Sequence, residues 1–340
     1  MKGLVIFLVI TLLGMSAFSQ MKYPKVPKST NDATVIGKLQ YPYEFKFEGN
    51  PLSRIHSATD PDVQVWDDVV WMYCSQDRNV DSTKHKHLYD AMDGYHAFSS
   101  KDMVNWTDHG EIFHSRDVPW AGEKGGFLWA PGVARKDGKY FLYFPIKNKE
   151  GEWRVGVAVG DTPAGPFKDS GRPLGGLKGA DPKIFIDDDG EAYIYNNPGV
   201  VAKLKPNMIE MAEEPRLIEY APKEIMENDT LKFLAGAYMH KKDSVYYFSY
   251  SNWKNKTFQG YYATGNNPYG PFEWKEAMAP RPADAQDHHS IIEFNGQWYY
   301  FYHISLKNLP KYKESQGRIA CYDKIFYNDD GTIQMVRYTR

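Results

Sequence analysis

A chain of 340 residues with 42% hydrophobic residues can bury one large core or two ordinary ones. Its net charge of −2 argues against nucleic acid or an anionic membrane as partner. The 15% aromatic content, with 25 Tyr, 18 Phe and 9 Trp, favours strands and also supplies flat faces suited to sugar rings; composition does not separate those uses.

The chain opens on a targeting pattern. Lys2 precedes an apolar run from Gly3 to Gly14 broken only by Thr11, and Ala17-Phe18-Ser19 offers the small residues a signal peptidase reads. Residues 1–19 are expected to be a cleaved signal peptide, with Gln20 as the mature start. The run is too short for a stop-transfer helix, and no Cys follows it to carry a lipid, so a secreted or periplasmic protein is expected. Residues 20–40 read as an N-terminal extension and 41–340 as a single domain. Its first stretch, roughly Tyr41 to Ile55, packs against or completes the rest.

From Asp60 onward one plan recurs five times. The segments are DPDVQVWDDVVWMYCS from Asp60, APGVARKDGKYFLYFP from Ala130, DPKIFIDDDGEAYIYN from Asp181, AGAYMHKKDSVYYFSY from Ala235 and HHSIIEFNGQWYYFYH from His288. Each pairs two apolar-alternating stretches across a polar turn, the signature of a hairpin. The starts are 70, 51, 54 and 53 residues apart, a spacing that accommodates a four-stranded propeller blade. TPAGPF and NPYGPF recur at one phase, with Gly165 and Gly270 each 35 residues after their segment start, and read as turns between outer strands. Helical periodicity is almost absent; Ala221 to Lys232 holds at most a short helix. A β-sandwich or two unrelated β domains would explain strands but not this period. The expected fold is an all-β, five-bladed β-propeller. Cys74 and Cys321, near the two ends of the mature chain, are either bridged across a closed ring or two buried thiols.

In a propeller the innermost strands surround one channel, so Asp60, Asp181 and His288 are expected to converge at one mouth. A single Asp-Pro pair is usually a strand-initiating turn. Two at the same phase, facing one cavity, point to chemistry. Paired carboxylates suit glycosidic cleavage, one donating a proton to the leaving oxygen and another activating water; a gap of about 6.5–9.5 Å gives inversion.

These residues resemble glycoside hydrolase family 43, which contains α-L-arabinofuranosidases, arabinanases and β-xylosidases. The likeness is carried by HSATDPDVQVWDD, LWAPGVARKDGKYFLYF, ADPKIFIDDDGEAYIY, AGAYMHKKDSVYYFSYS, DHHSIIEFNGQWYYFYH and RIACYDKIFYNDDGTI, and runs from about Asn50 to the C-terminus. It implies a five-bladed propeller and inverting, exo-acting hydrolysis of arabinose- or xylose-containing plant cell-wall polysaccharide, α-L-arabinofuranosidase first and β-xylosidase next. Asp60 would be the general base, and Asp181 would orient the acid and tune its pKa. Trp129 would wall the sugar, and Arg318 would stand near the pocket as a second substrate-binding residue, with a surface or ion-pair role as the alternative. His288 would approach a central metal ion, often calcium, through water; no cofactor is required.

One position departs from the pattern. The family's general acid is a Glu before Gly-Pro or Gly-Ala, whereas this chain has Leu234-Ala235-Gly236-Ala237. Ala235 cannot donate a proton, so activity should be weak or absent. A Glu→Ala change introduced to trap substrate would account for it. So would a natural loss leaving a sugar-binding propeller, or an enzyme using another carboxylate. Glu224, Glu227 and Asp229 are nearby in sequence but suit solvated positions. A β-fructosidase-type enzyme would share the fold, but its Trp-x-Asn-Asp-Pro setting is not found. His289 points away from the channel, and Lys84-His85-Lys86-His87 reads as a solvated insertion over the pocket rim.

Overall fold

The computed structural model describes residues 40–52, 57–78, 83–87, 89–254, 257–280, 288–305 and 317–339. The expected signal peptide and almost all of the N-terminal extension lie outside them.

Each repeat folds as the inner hairpin of one antiparallel sheet, because a tight turn returns the chain alongside itself, of two residues in four repeats and of five, 187–191, in the third. Asp67-Asp68, Asp137-Gly138 and Asn295-Gly296 all have positive φ. They join strands whose flanking residues pair directly, Trp66 with Val69, Lys136 with Lys139 and Phe294 with Gln297. That geometry matches the strands' own twist.

The first sheet orders β1 (Tyr43–Lys46), β5 (Asn105–His114), β4 (Gly94–Ser100), β3 (Val69–Ser75) and β2 (Thr59–Trp66) from rim to axis. The second runs β6 (Gly132–Lys136), β7 (Lys139–Lys147), β8 (Trp153–Gly160), β9 (Lys168–Lys178). The third is β10 (Ala180–Ile186), β11 (Ala192–Asn197), β12 (Val200–Lys203), β13 (Arg216–Leu217). The fourth is β14 (Ala235–Lys242), β15 (Val245–Lys254), β16 (Thr257–Gly265), β17 (Glu273–Ala277), and the fifth has only β18 (Ser290–Phe294), β19 (Gln297–Ser305) and β20 (Arg318–Ile325). The one α-helix among the described residues, α1 (Lys223–Met226), falls within the stretch Ala221 to Lys232, where at most a short helix is expected. Gln64, Val133, Ile184, Met239 and Ile291, one from each innermost strand, line a single cavity of about 440 Å³. The five sheets therefore form a closed five-bladed β-propeller. That cavity is one mouth of the channel, at the turn end of the inner hairpins; the carboxylates lie at the other mouth.

Closure does not use a shared strand. β1 adds to the outer edge of the first blade by pairing with β5. The chain then crosses to the fifth blade, where the Leu52 amide donates to the Ala320 carbonyl at 2.8 Å. Asn50 Nδ2 donates to the carbonyls of Tyr322 at 3.0 Å and Thr339 at 3.2 Å.

The tyrosines stitch blade to blade. Tyr73 donates to the Pro163 carbonyl at 2.7 Å, Tyr143 to Met208 at 2.6 Å and Tyr195 to Pro268 at 2.6 Å, each reaching the next blade's outer turns. Pro163 and Pro268 belong to the two recurrent motifs. Each buried hydroxyl is thus satisfied while its ring fills the seam, one use of the high aromatic content. Cys74 and Cys321 are both thiols, fully buried in different apolar clusters, so no disulfide joins them across the ring.

His240, between the fourth and fifth blades, stacks on Tyr247 at 4.8 Å and meets the Tyr327 hydroxyl at 2.8 Å. Burial, with His289 nearby, lowers its pKa to about 3. Between that value and the ordinary 6.5 an unfolded chain binds a proton that the folded one refuses. Stability should therefore fall by roughly 1 kcal/mol per pH unit as pH drops through this window. Denaturant titrations at pH 7 and pH 5 should show a smaller loss in a His240→Gln variant; equal losses would refute it.

Candidate active site

Three of the inner strands begin with the same distortion. Asp60, Asp181 and Gly236 lie at φ 53°, 57° and 67°, each inside a register shift, Thr59/Asp62, Ala180/Lys183 and Ala235/Tyr238. A bulge with a left-handed residue turns a strand end and re-aims its side chain. This register corrects the phase read from sequence. Gly236, and not Ala235, is the equivalent of the two aspartates, so Ala235 corresponds to Thr59 and Ala180.

The two carboxylates and the imidazole do meet. His288 Nδ1 lies 3.0 Å from Asp60 Oδ1, and its Nε2 lies 3.3 Å from Asp181 Oδ2. Asp60 is the most heavily held. Arg318 Nη1 contacts Oδ1 at 3.1 Å, and Ser75 Oγ donates to Oδ2 at 2.6 Å. Burial alone would raise its pKa, but Arg318, then His288 and His303, outweigh burial and hold it well below the usual carboxylate range. Burial pushes His288 down, yet Asp181 and then Asp60 lift it to about 10, so the ring is a cation at neutral pH.

His303 has the opposite state. Its Nδ1 accepts the Asp60 backbone N–H at 3.0 Å, which places the ring proton on Nε2. Burial and Arg318 keep it neutral, its pKa well below normal. Its Nε2 and Asp181 Oδ1 are buried without a protein partner among the described residues. Such atoms are costly unless water or ligand meets them.

Arg318 is buried and clamped by Asp77, through Nη2 at 2.8 Å, Nε at 3.1 Å and its backbone N–H at 2.7 Å. Its guanidinium covers the Tyr89 ring at 4.7 Å. It is thus ion-paired and stands at the pocket, touching Asp60 as well as Asp77. Trp129 is half-buried beside the channel, its indole N–H donating to the Tyr89 carbonyl at 3.0 Å and its ring 4.4 Å from Trp153. His289 faces away, bonded to Ser249 Oγ at 2.7 Å.

The Lys84–His87 run is only partly solvated. His85 is 8% exposed and meets the Phe127 ring edge-on at 5.5 Å. Ala235 is half-exposed at the start of β14 and pairs with Ser251. Glu224, Glu227 and Asp229 are exposed, and the last two pair with Lys223 and Lys232, so none of the three is a buried replacement acid.

Nor do these residues fit a directly ligated metal ion. Both nitrogens of His288 face carboxylates, and among the described residues no three of His, Cys, Asp or Glu are grouped to hold one.

Ser75, Asp77 and His303 were not singled out from sequence. Ser75 and His303 close two of the repeated segments, and a hairpin's second strand returns to the end where the first began. Thr59 pairs with Ser75 accordingly. Asp77 lies beyond any repeat, and nothing in the sequence marks it.

Comparison with known proteins agrees with this fold. The model for "Glycosyl hydrolases family 43" matches residues 49–333. A xylosidase/arabinosidase of Bacteroides ovatus is 36% identical over 314 residues, covering 81% of this chain and 93% of its own length. Xylosidase/arabinosidase 43A of Humicola insolens is 36% identical over 83% of this chain and 97% of its own. Among solved structures, a family 43 β-xylosidase/α-arabinofuranosidase from a compost metagenome, in complex with xylotriose, superposes with TM-score 0.77. It is 33% identical, over 86% of this chain and 98% of that one. The chain belongs to glycosyl hydrolases family 43, a family of glycosidases.

Proposed function

We propose that this chain is built as an inverting, exo-acting hydrolase of terminal pentosyl residues on plant cell-wall polysaccharide. The supporting observation is the Asp60–His288–Asp181 constellation at the channel mouth. Asp60, its carboxyl held well below the usual range, is ionised at neutral pH and takes the proton of an attacking water. The His288 cation between the two carboxylates offsets their repulsion, and Arg318, fixed by Asp77, positions Asp60. Asp181 orients the acid group that a side chain longer than Ala235 would carry, and Trp129 walls the sugar. The relatives' names carry both xylosidase and arabinosidase activity, so the substrate class is a xylosyl or arabinofuranosyl end group. Ala235 leaves the water-activating half of the machinery in place and removes the proton donor.

Ala235 also favours a second reading, a propeller that binds such sugars without cleaving them. Assaying the chain beside Ala235→Glu on aryl xylosides and arabinofuranosides separates the two. Gained turnover with inverted product identifies a hydrolase; binding without turnover in both proteins identifies the binding module. Export belongs to the proposal, resting on the pattern of residues 1–19. N-terminal sequencing of exported protein should begin at Gln20, and an intact Met1 would refute it.

A further inference from the structure

Beside the mouth, blade 2 carries an aromatic ledge that the hydrolytic machinery does not use. Gly125, Gly126 and Phe127 run consecutively at φ 62°, 77° and 61°. A left-handed bulky residue costs about 1–3 kcal/mol and persists only where its surroundings dictate it. Here they do, since the Phe127 amide donates to the Asp90 carbonyl at 3.1 Å and the Phe127 carbonyl accepts from the Trp129 amide at 2.9 Å. The strained turn presents Phe127 edge-on to Trp153 at 5.7 Å. Lys147, paired with Trp153 across β7 and β8, lays its ammonium over both rings, 4.3 Å from Phe127 and 5.3 Å from Trp153. No carboxylate among the described residues pairs with Lys147, whereas the adjacent Glu152 is engaged by Arg154 and Asn148. Buried His85 Nδ1, on the ring that packs against Phe127, has no partner there either.

The ledge joins the reaction centre by unbroken contact. Asp60 meets Arg318, Arg318 covers Tyr89, Tyr89 accepts from Trp129, and Trp129 packs on Trp153. We infer that this ledge is a subsite for an acidic sugar. A hexuronic acid branch on a neighbouring xylose packs against Trp153, beyond the Trp129 wall, and sets its carboxylate against Lys147. Flat aromatic faces take a sugar ring, and a half-buried ammonium with only π faces for partners takes an anion. The inference rests on the pentosan reading above and deepens it.

Calorimetry on the chain as it stands tests it, with xylotetraose against an aldotetraouronic acid, xylotriose bearing a 4-O-methylglucuronosyl branch. The acidic oligomer should bind about tenfold tighter, with the advantage shrinking as salt rises. Lys147→Met and Lys147→Gln should abolish the advantage and keep the affinity for xylotetraose, which also shows that both variants fold. Equal affinities, or a preference that survives loss of Lys147, overturn the subsite. If neither oligomer binds, the subsite falls as well. Ala235→Glu then tells the two failures apart: turnover of pentosides leaves the hydrolase reading standing, and silence removes both.

Discussion

Ala235→Glu should raise turnover of oligosaccharides by ~10²–10⁴-fold, the usual worth of a positioned general acid. A departing sugar is a poor leaving group and needs a proton as its bond breaks; dinitrophenolate or fluoride does not. The unaltered chain should therefore already cleave dinitrophenyl pentosides or pentosyl fluorides at rates within about tenfold of the variant. The gain should appear only as the leaving group becomes more basic. Position 235 can receive the longer side chain, because it is half-exposed at a strand end and the bend is taken by Gly236. NMR of the first-formed sugar should show the anomer opposite to the substrate. Identical leaving-group dependence in the two proteins would remove position 235 from the proton-donor role.

Asp60→Asn, made on top of Ala235→Glu, should cost ~10²–10⁴-fold, and by a similar factor for every leaving group. Water activation is needed whatever departs, so the signature is a uniform loss where position 235 gives a graded one. The fold should survive, because Asp77 still holds Arg318 through three contacts and Ser75 can still bond the new amide. Retained affinity for xylotetraose is the control. A loss confined to poor leaving groups would mean that Asp60 serves the acid step instead. Since Arg318 and His288 keep the Asp60 carboxyl well below its ordinary range, any acid limb in the pH profile of Ala235→Glu should belong to another group.

The propeller was legible because its inner hairpins are written in short-range signals: alternation, left-handed turn residues and a near-constant period. The convergence of Asp60, Asp181 and His288 followed from that period, since equal phase in a closed wheel means one face. What escaped was set by distortion and by distance. Counting residues placed Ala235 level with the aspartates by matching Asp243 to Asp68, but Asp68 is the second residue of its turn and Asp243 the first of its own, which shifts the frame by one. Arg318 and Asp77 are 241 positions apart, and their clamp depends on the seam where the first and last blades meet. The burial of His85 was hidden because its partner, Phe127, comes from a strained turn of the next blade. The two cysteines occupy separate clusters, a matter of packing that no spacing reveals.

That seam has a consequence for biogenesis. All five sheets are drawn from neighbouring stretches and can assemble in turn as the polypeptide emerges. The wheel shuts only when Asn50 meets Thr339, a separation of 289 positions. Until then the interface between first and last blades, including the pocket that holds Arg318 against Asp60 and Asp77, has no second wall. Contacts this remote form slowly, because the loop entropy is lost before they can repay it. The reaction centre is thus the last part of the molecule to come into existence, and no partially synthesised wheel can possess it.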